Sequence, residues 1–127
     1  MKYVIDSSAW IELFLGSAEG KKAAKVIKNP KNVIITSDVT FGEIYSWAMK
    51  NGFDAGKLMG CIRQNSEVFE TYVNIWIEAA DLRDRRREKA KKFSLIDAII
   101  YRISQMTKAR LVTKDKDFKG LKNVILL

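Results

Sequence analysis

The chain has 127 residues, 47% hydrophobic and 30% charged, a balance typical of one globular domain with a substantial core. It contains no histidine, which excludes Ser-His-Asp and Cys-His triads, imidazole acid–base catalysis and zinc sites that require histidine. Its formal charge of +8 favours a polyanionic partner, nucleic acid first and a membrane surface second, although solubility alone also accounts for such an excess.

The single cysteine, Cys61, excludes an intrachain disulfide and fits a reducing, cytoplasmic setting. Its apolar neighbours Leu58 and Ile62 indicate a position in the core rather than a nucleophile. No apolar run approaches membrane-spanning length, and strand-like sequence begins too early for a signal peptide. We therefore expect a cytoplasmic protein that is not held in a membrane, with residues 1–127 forming a single domain.

The first residues predict a strand, a turn and a helix. Tyr3, Val4 and Ile5 form a β-branched and aromatic run typical of a buried strand. Asp6 and two serines follow, and such residues favour helix N-caps over strand interiors. Apolar residues then recur at helical spacing through residue 15. Asp6 would therefore lie just outside the carboxyl end of a strand, where sites form in open α/β sheets.

The rest of the chain continues to alternate between helices and strands. Periodicity and turn residues predict further helices over 21–28, 54–64 and 74–90, one that Ser37-Asp38 caps and that closes at Asn51-Gly52, and one opening at Ser94. They predict strands over 33–36, 69–73, 110–113 and 123–127. In the helix capped by Ser37-Asp38 we expect Tyr45 on the buried face, and in the helix over 74–90 we expect Trp76 and Ile77 inward. The alternation predicts a mostly parallel sheet covered on both faces.

Acidic residues recur where the predicted strands end or the following helices begin: Asp6, Glu43, Asp97 and Asp115, with Asp117 close by. Each has an ordinary structural explanation on its own. Asp6 could cap the first helix, and Asp97, three residues after Ser94, fits a capping box. Asp115 and Asp117 could be turn residues. Their common placement at one edge of a parallel sheet nevertheless predicts that these acids meet.

Such a cluster needs a counter-charge. Two carboxylates about 6 Å apart repel by roughly 3 kcal/mol at an effective dielectric of about 20, so the six pairs among four acids sum to on the order of 15 kcal/mol. That repulsion is comparable with the stability of a whole domain. With oxygen ligands and no histidine, Mg²⁺ or Mn²⁺ is the expected occupant. Carboxylate-held metal beside a basic surface is suited to phosphodiester hydrolysis, so we predict a metal-dependent nuclease.

Cations crowd the end of the predicted helix over 74–90: Arg83, Arg85, Arg86, Arg87, Lys89, Lys91 and Lys92. One interpretation is a solvated helix end, where cations are favoured by the helix dipole. The other is a ridge that contacts phosphate groups of a nucleic acid. Lys114 and Lys116 lie nearest the acids in sequence, and we expect them to hold the phosphate backbone.

Four segments also carry a family resemblance: YVIDSSAW at 3–10, FGEI at 41–44, LIDAII at 95–100 and LVTKDKDF at 111–118. In this order they resemble the successive acidic motifs of PIN-domain ribonucleases, and the size and motif order are similar to those of VapC-type toxins of toxin–antitoxin pairs. The Tyr101-Arg102 pair departs from the pattern, since small residues are common there.

The resemblance implies a three-layer, Rossmann-like α/β fold with a sheet of four to five strands. It also implies Mg²⁺- or Mn²⁺-dependent RNA cleavage, a homodimer and a small antitoxin protein as partner. By motif, Asp6, Glu43, Asp97 and Asp115 would bind metal and Asp117 would be an outer ligand. Ser7 and Thr113 would contact these acids without contacting the metal and so orient them.

Three alternatives stay open. The chain could be a catalytically idle module that binds RNA or protein, or an RNA-processing nuclease without an antitoxin. It could also be a phosphoryl-transfer or receiver-type domain, given an aspartate after the first strand. Against the last, the sequence lacks a G-x-x-x-x-G-K-[ST] loop and the second acid of a D-x-D motif.

Overall fold

A computed structural model describes residues 1–127. It has a five-stranded, fully parallel sheet of order β3-β2-β1-β4-β5, with six α-helices packed around it. The predicted three-layer α/β fold is thereby confirmed. In chain order the elements are β1 (Lys2–Ile5), α1 (Ser7–Leu15), α2 (Ala18–Ile27), β2 (Val33–Ser37), α3 (Asp38–Lys50), α4 (Ala55–Asn65), β3 (Glu67–Phe69), α5 (Val73–Arg86), α6 (Leu95–Met106), β4 (Arg110–Thr113), a 3-10 turn (Lys116–Phe118) and β5 (Val124–Leu126).

The central strand β1 fixes the register of the sheet. Val4 lies opposite Ile35 of β2 on one side and opposite Leu111 of β4 on the other. All the pairings are parallel, so the carboxyl ends of the strands lie at one edge of the sheet. The residues that follow these ends are therefore brought together regardless of their separation in sequence.

Alternating side chains of β1 supply the two cores. Val4 packs with α5 and α6 on one face of the sheet, whereas Ile5 packs with α1, α2, α3 and α4 on the other. On the second face α2 approaches α1 so closely that a Cβ on Gly20 would lie 2.0 Å from the Glu12 carbonyl oxygen. Glycine is therefore required at position 20 by the packing of these two helices.

The inward face of α5 differs from the expectation. Ile75 and Ala79 are fully buried, whereas Trp76 and Ile77 are 39% and 63% exposed. Apolar residues occupy most of positions 73–80, so periodicity alone does not select a face, and packing against α6 does. Tyr45 of α3 is likewise exposed rather than buried.

Several boundaries also differ from those predicted. The strand expected over 69–73 is shorter and earlier, since β3 ends at Phe69 and Val73 already begins α5. Helix α5 ends at Arg86 instead of continuing to residue 90. Helix α2 begins at Ala18, where the Ser17 side chain accepts from the backbone N–H of Gly20. None of the helices has both the length and the apolar composition needed to cross a membrane.

Candidate functional site

Asp6 lies where β1 passes into α1, beside the end of β4. Its backbone N–H continues the pairing with β4 by donating to the Val112 carbonyl at 3.0 Å. The residue is 5% exposed, and its carboxylate receives three hydrogen bonds. Oδ1 accepts from the N–H of Ser7 at 2.8 Å, and Oδ2 accepts from the hydroxyls of Ser8 at 3.0 Å and Thr113 at 2.7 Å. The orientation of this carboxylate is therefore set by two neighbouring strand ends.

Burial raises the pKa of Asp6 above its ordinary value, and the charge of Asp115 adds to the effect. The hydrogen bonds from Thr113, Ser8 and Ser7 oppose this shift because they stabilise the ionised form. A buried carboxyl near another acid carries an energetic cost that a bound cation would remove.

Asp97 both caps helix α6 and belongs to the group of clustered acids. Its side chain accepts from the Ser94 backbone N–H at 2.9 Å, and its own N–H donates to Ser94 Oγ at 3.0 Å, which completes a capping box. Desolvation raises its pKa to about 6, with smaller contributions from the charges of Asp115 and Asp6, while the Ser94 hydrogen bonds act in the opposite direction. The cap therefore fixes an acid that also belongs to a cluster.

Asp115 and Asp117 follow β4 on the turn that precedes β5. Asp115 Oδ1 accepts from the Asp117 N–H at 2.9 Å, and this bond starts the 3-10 turn. One carboxylate oxygen from each of Asp97, Asp115 and Asp117 lies within 4.8 Å of the others, and all three residues are half-buried. Asp117, expected only as an outer ligand, thus belongs to the most compact group of acids.

Glu43 of α3 lies at the exposed rim of the same site. Its carboxyl is nevertheless surrounded by enough protein for desolvation to raise its pKa to about 7. The charge of Asp6, and to a lesser extent that of Asp97, adds to this shift, and the Ser7 side chain opposes it. The influence of Asp6 and Asp97 on the pKa of Glu43 indicates that its carboxyl faces these two acids.

The oxygen-only set of ligands fits a hard divalent cation such as Mg²⁺ or Mn²⁺. Asp97, Asp115 and Asp117 are close enough together to bind one ion, with Asp6 and Glu43 adjoining. Several of these carboxyls have raised pKa values, so binding a cation would displace protons from them. Of the five acids that the sequence singled out, the structure groups Asp97, Asp115 and Asp117 within ligand distance, and Asp6 and Glu43 are near enough for charge interactions with members of the cluster.

The α1 hydroxyl that donates to Asp6 belongs to Ser8 and not to Ser7, the residue expected from the sequence. Ser8 Oγ also lies 3.1 Å from Thr113 Oγ1 and accepts from the Lys114 N–H at 2.9 Å. Ser7 contributes its backbone N–H to Asp6, and its side chain acts on Glu43. A hydroxyl two residues after a helix-capping aspartate is the sequence feature that could have identified Ser8.

The basic residues fall into two groups. Lys114 lies beside the acids and its Nζ is 3.1 Å from the nearly buried Glu12 carboxylate, while Lys116 is exposed on the next turn. At the end of α5, Arg83 and Arg85 form ion pairs with Asp84 and Asp81 on their own helix. Arg86 and Arg87 instead donate to backbone carbonyls of other segments. Contact of these cations with nucleic acid stays a prediction.

Comparison with known proteins places this geometry in a family. The family model described as the PIN domain matches residues 3–124, nearly the whole chain. This chain belongs to the PIN-domain family. The resemblance inferred from its acidic motifs is therefore confirmed. No curated protein sequence matches it significantly.

Solved structures with a similar fold include a toxin and toxin–antitoxin complexes. A toxin–antitoxin complex from Klebsiella pneumoniae contains a chain 27% identical, with a TM-score of 0.73, covering 97% of this chain and 95% of that one. VapC20 of Mycobacterium tuberculosis, described as a sarcin-ricin loop cleaving toxin, is 18% identical with a TM-score of 0.78, covering 96% of each chain. VapBC2 of Rickettsia felis, bound to a promoter DNA fragment, gives 18% identity and a TM-score of 0.72, covering 100% of this chain and 98% of that one. Membership of a family that includes VapC-type nucleases supports a nuclease activity here.

Proposed function

We propose that this PIN-domain chain is an endoribonuclease that depends on Mg²⁺ or Mn²⁺ and acts as the toxin of a VapBC-type pair. The observation that carries the proposal is the convergence of Asp97, Asp115 and Asp117, whose oxygens lie within 4.8 Å of one another beside Asp6 and Glu43. The formal charge of +8 supports a polyanionic substrate. The likeness to toxins and to toxin–antitoxin complexes supports the biological role.

In this proposal the acids are the ligands of the cation, and the hydroxyls of Ser8 and Thr113 orient Asp6 by hydrogen bonds. Asp97, Asp115 and Asp117 would hold the ion, with Asp6 and Glu43 beside them. A bound divalent ion supplies activation of water and neutralises charge that develops on the phosphate during displacement. Ser8 and Thr113 both donate to Asp6 Oδ2 and so keep the carboxylate in one orientation, because pre-organised ligands need no rearrangement when the substrate binds.

Lys114 is the basic side chain best placed to receive the substrate. Its backbone is fixed to Ser8, and its side chain is 47% exposed while paired with Glu12. We expect Lys114 and Lys116 to contact phosphate groups that flank the scissile bond. Such contacts position the RNA without reading its sequence.

Cleavage of labelled RNA by the purified chain tests the enzymatic part. We expect cleavage in Mg²⁺ or Mn²⁺, loss of cleavage in excess chelator, and at least a 100-fold lower rate for Asp97→Asn, which keeps a side-chain oxygen for the cap. Asp84→Asn, an exposed change on α5, is the control for a lost carboxylate. Cleavage by Asp97→Asn at the wild-type rate would refute the proposal, and binding of RNA without turnover would support the idle-module alternative.

Expression in a bacterial host tests the toxin role separately. We expect the wild-type chain to arrest growth and Asp97→Asn to permit it, since arrest depends on the same acids. Co-expression of a cognate antitoxin should restore growth of the wild type. Active RNA cleavage in vitro without any arrest would instead favour an RNA-processing nuclease.

A further inference from the structure

The last residue of α5, Arg86, contacts the turn that carries two of the clustered acids. Its guanidinium donates to the Asp117 carbonyl from Nε at 3.2 Å and from Nη2 at 2.8 Å. The same Nη2 also donates to the Lys119 carbonyl. Arg86 is half-buried, unlike its neighbours Arg85 and Arg87. Its donors therefore face backbone carbonyls of the protein itself.

The two carbonyls flank Phe118, which anchors the turn to the core. Phe118 is fully buried and packs edge-to-face on Phe93, with ring centroids 5.3 Å apart. Phe93 directly precedes the Ser94 cap of α6, and its own carbonyl accepts from Arg87 Nε at 2.9 Å. The last residue of α5, Arg86, and the residue that follows the helix, Arg87, thus bind the two segments that meet through this aromatic pair.

These contacts relate Asp97 to Asp115 and Asp117 through α5. Asp97 follows the segment whose Phe93 carbonyl accepts from Arg87. Asp115 and Asp117 lie on or beside the turn whose carbonyls accept from Arg86. We propose that Arg86 is a positioning residue, which fixes the turn so that Asp115 and Asp117 remain within ligand distance of Asp97. The inference deepens the proposed function, because it assigns one arginine of the basic helix end to the metal site rather than to RNA.

The chemistry of the contact favours arginine. A guanidinium presents several N–H donors in a fixed plane and can reach two carbonyls at once, whereas the ammonium of lysine is a compact point charge on a flexible stem. Residues that orient metal ligands without binding the metal themselves commonly change metal affinity 10- to 100-fold when they are altered. A guanidinium already engaged with two carbonyls also has fewer donors left for phosphate.

The test compares Arg86→Ala, Arg86→Lys and Arg85→Ala in the full-length chain. Arg85→Ala removes an equal charge one residue away, where the side chain pairs only with the exposed Asp81. The readouts are the affinity for Mn²⁺ measured by calorimetry and the rate of backbone amide exchange over residues 115–121 without metal. These amides include the N–H groups of Asp117, Lys119 and Leu121, which are bonded within the turn.

We expect both Arg86 variants to bind Mn²⁺ at least tenfold more weakly than the wild type and to exchange the turn amides at least tenfold faster. Arg85→Ala should match the wild type in both measurements. Arg86→Lys keeps the charge, so its agreement with Arg86→Ala would assign the effect to the two carbonyl contacts. It also serves as the folded comparison if Arg86→Ala is unstable.

Unchanged Mn²⁺ affinity and unchanged exchange in Arg86→Lys and Arg86→Ala would overturn the inference. A higher KM for RNA with wild-type Mn²⁺ affinity would overturn it as well, since Arg86 would then contact the substrate. Failure of the proposed function gives a different pattern, in which the wild type neither cleaves RNA nor binds Mn²⁺. Even then, amide exchange would still show whether Arg86 holds the turn.

Discussion

The Thr113 hydroxyl donates a 2.7 Å hydrogen bond to the Asp6 carboxylate, joining the ends of two neighbouring parallel strands across 107 positions of sequence. The same hydroxyl accepts from the Asp115 N–H at 3.0 Å. One buried side chain therefore orients the first acid of the chain and the start of the turn that carries the last two. This relationship explains how distant residues come to share one site.

Replacing Thr113 by valine tests this role. The change keeps the shape but removes the donor to Asp6 and leaves the Asp115 N–H without its acceptor, so we expect a loss of about 1–3 kcal/mol in the free energy of unfolding. Mn²⁺ affinity should also fall, because Asp6 loses a bond that favours its ionised form. Urea unfolding and calorimetry measure the two effects. Thr113→Ser keeps the hydroxyl and should retain Mn²⁺ affinity, and equal affinity in both variants would contradict the role.

The raised pKa values predict how stability varies with pH. The pKa of Asp97 is about 6 and that of Glu43 about 7 in the fold, above ordinary values of 3.8 and 4.5. Between about pH 4 and pH 7 the folded chain therefore holds more protons than the unfolded chain. The stabilisation that these protons give is fully present below about pH 4 and is lost as the pH rises through about 7. Because the chain has no histidine, no imidazole titrates between pH 4 and pH 7 and contributes to this dependence.

Thermal unfolding in chelator from pH 4 to 7.5 measures this dependence. We expect the melting temperature of the wild type to fall across the window, and the fall to be smaller in Asp97→Asn/Glu43→Gln, which cannot lose these protons. Added Mn²⁺ should reverse the trend, since the cation competes with the protons. A fall of the same size in the double variant would show that other groups cause it.

The corrected orientation of α5 predicts unequal effects from two neighbouring isoleucines. Ile75 is fully buried and Ile77 is 63% exposed. Ile75→Ala should therefore lower the free energy of unfolding by about 2–5 kcal/mol, whereas Ile77→Ala should change it by less than about 0.5 kcal/mol. Denaturant unfolding of the two variants is the measurement, and each serves as the control for the other. If Ile77→Ala lost more unfolding free energy than Ile75→Ala, Ile77 would lie on the buried face, as the sequence predicted.

The approach of α2 to α1 predicts a severe effect at Gly20. Alanine there would place its Cβ against the Glu12 carbonyl, a backbone atom that cannot move aside alone, so we expect a loss of about 3 kcal/mol or more. Gly60→Ala in α4 meets nothing within 4 Å and should instead stabilise the helix by up to about 1 kcal/mol. Chemical unfolding compares them, and equal stability of the two variants would contradict the observed packing.

The sequence was most informative where local chemistry and topology act together. Asp6 and Asp115 follow strands, and parallel pairing then places the ends of those strands at one edge. Asp97 could be located because a capping box and a site acid require the same position at the start of a helix. The acidic motifs therefore predicted the family, and three of the acids they contain, Asp97, Asp115 and Asp117, lie close together in the structure.

Features that depend on packing could not be predicted in the same way. The inward face of α5 is decided by α6, since the apolar residues of α5 do not follow one helical stripe. Arg86 looks like its neighbouring arginines in sequence, and only the position of the turn after β4 distinguishes it. Choosing Ser8 over Ser7 for the hydroxyl contact likewise required the geometry of the first turn of α1.

The most direct test of the metal site is the melting temperature of the chain as Mn²⁺ is added. At a free ion concentration 100 times the dissociation constant, we expect about 2.7 kcal/mol of stabilisation, a shift of roughly 10 °C for a chain of this size. Asp84→Asn should show the same shift, whereas Asp97→Asn should show little or none. An equal rise in all three proteins would mean that the clustered acids do not bind the ion.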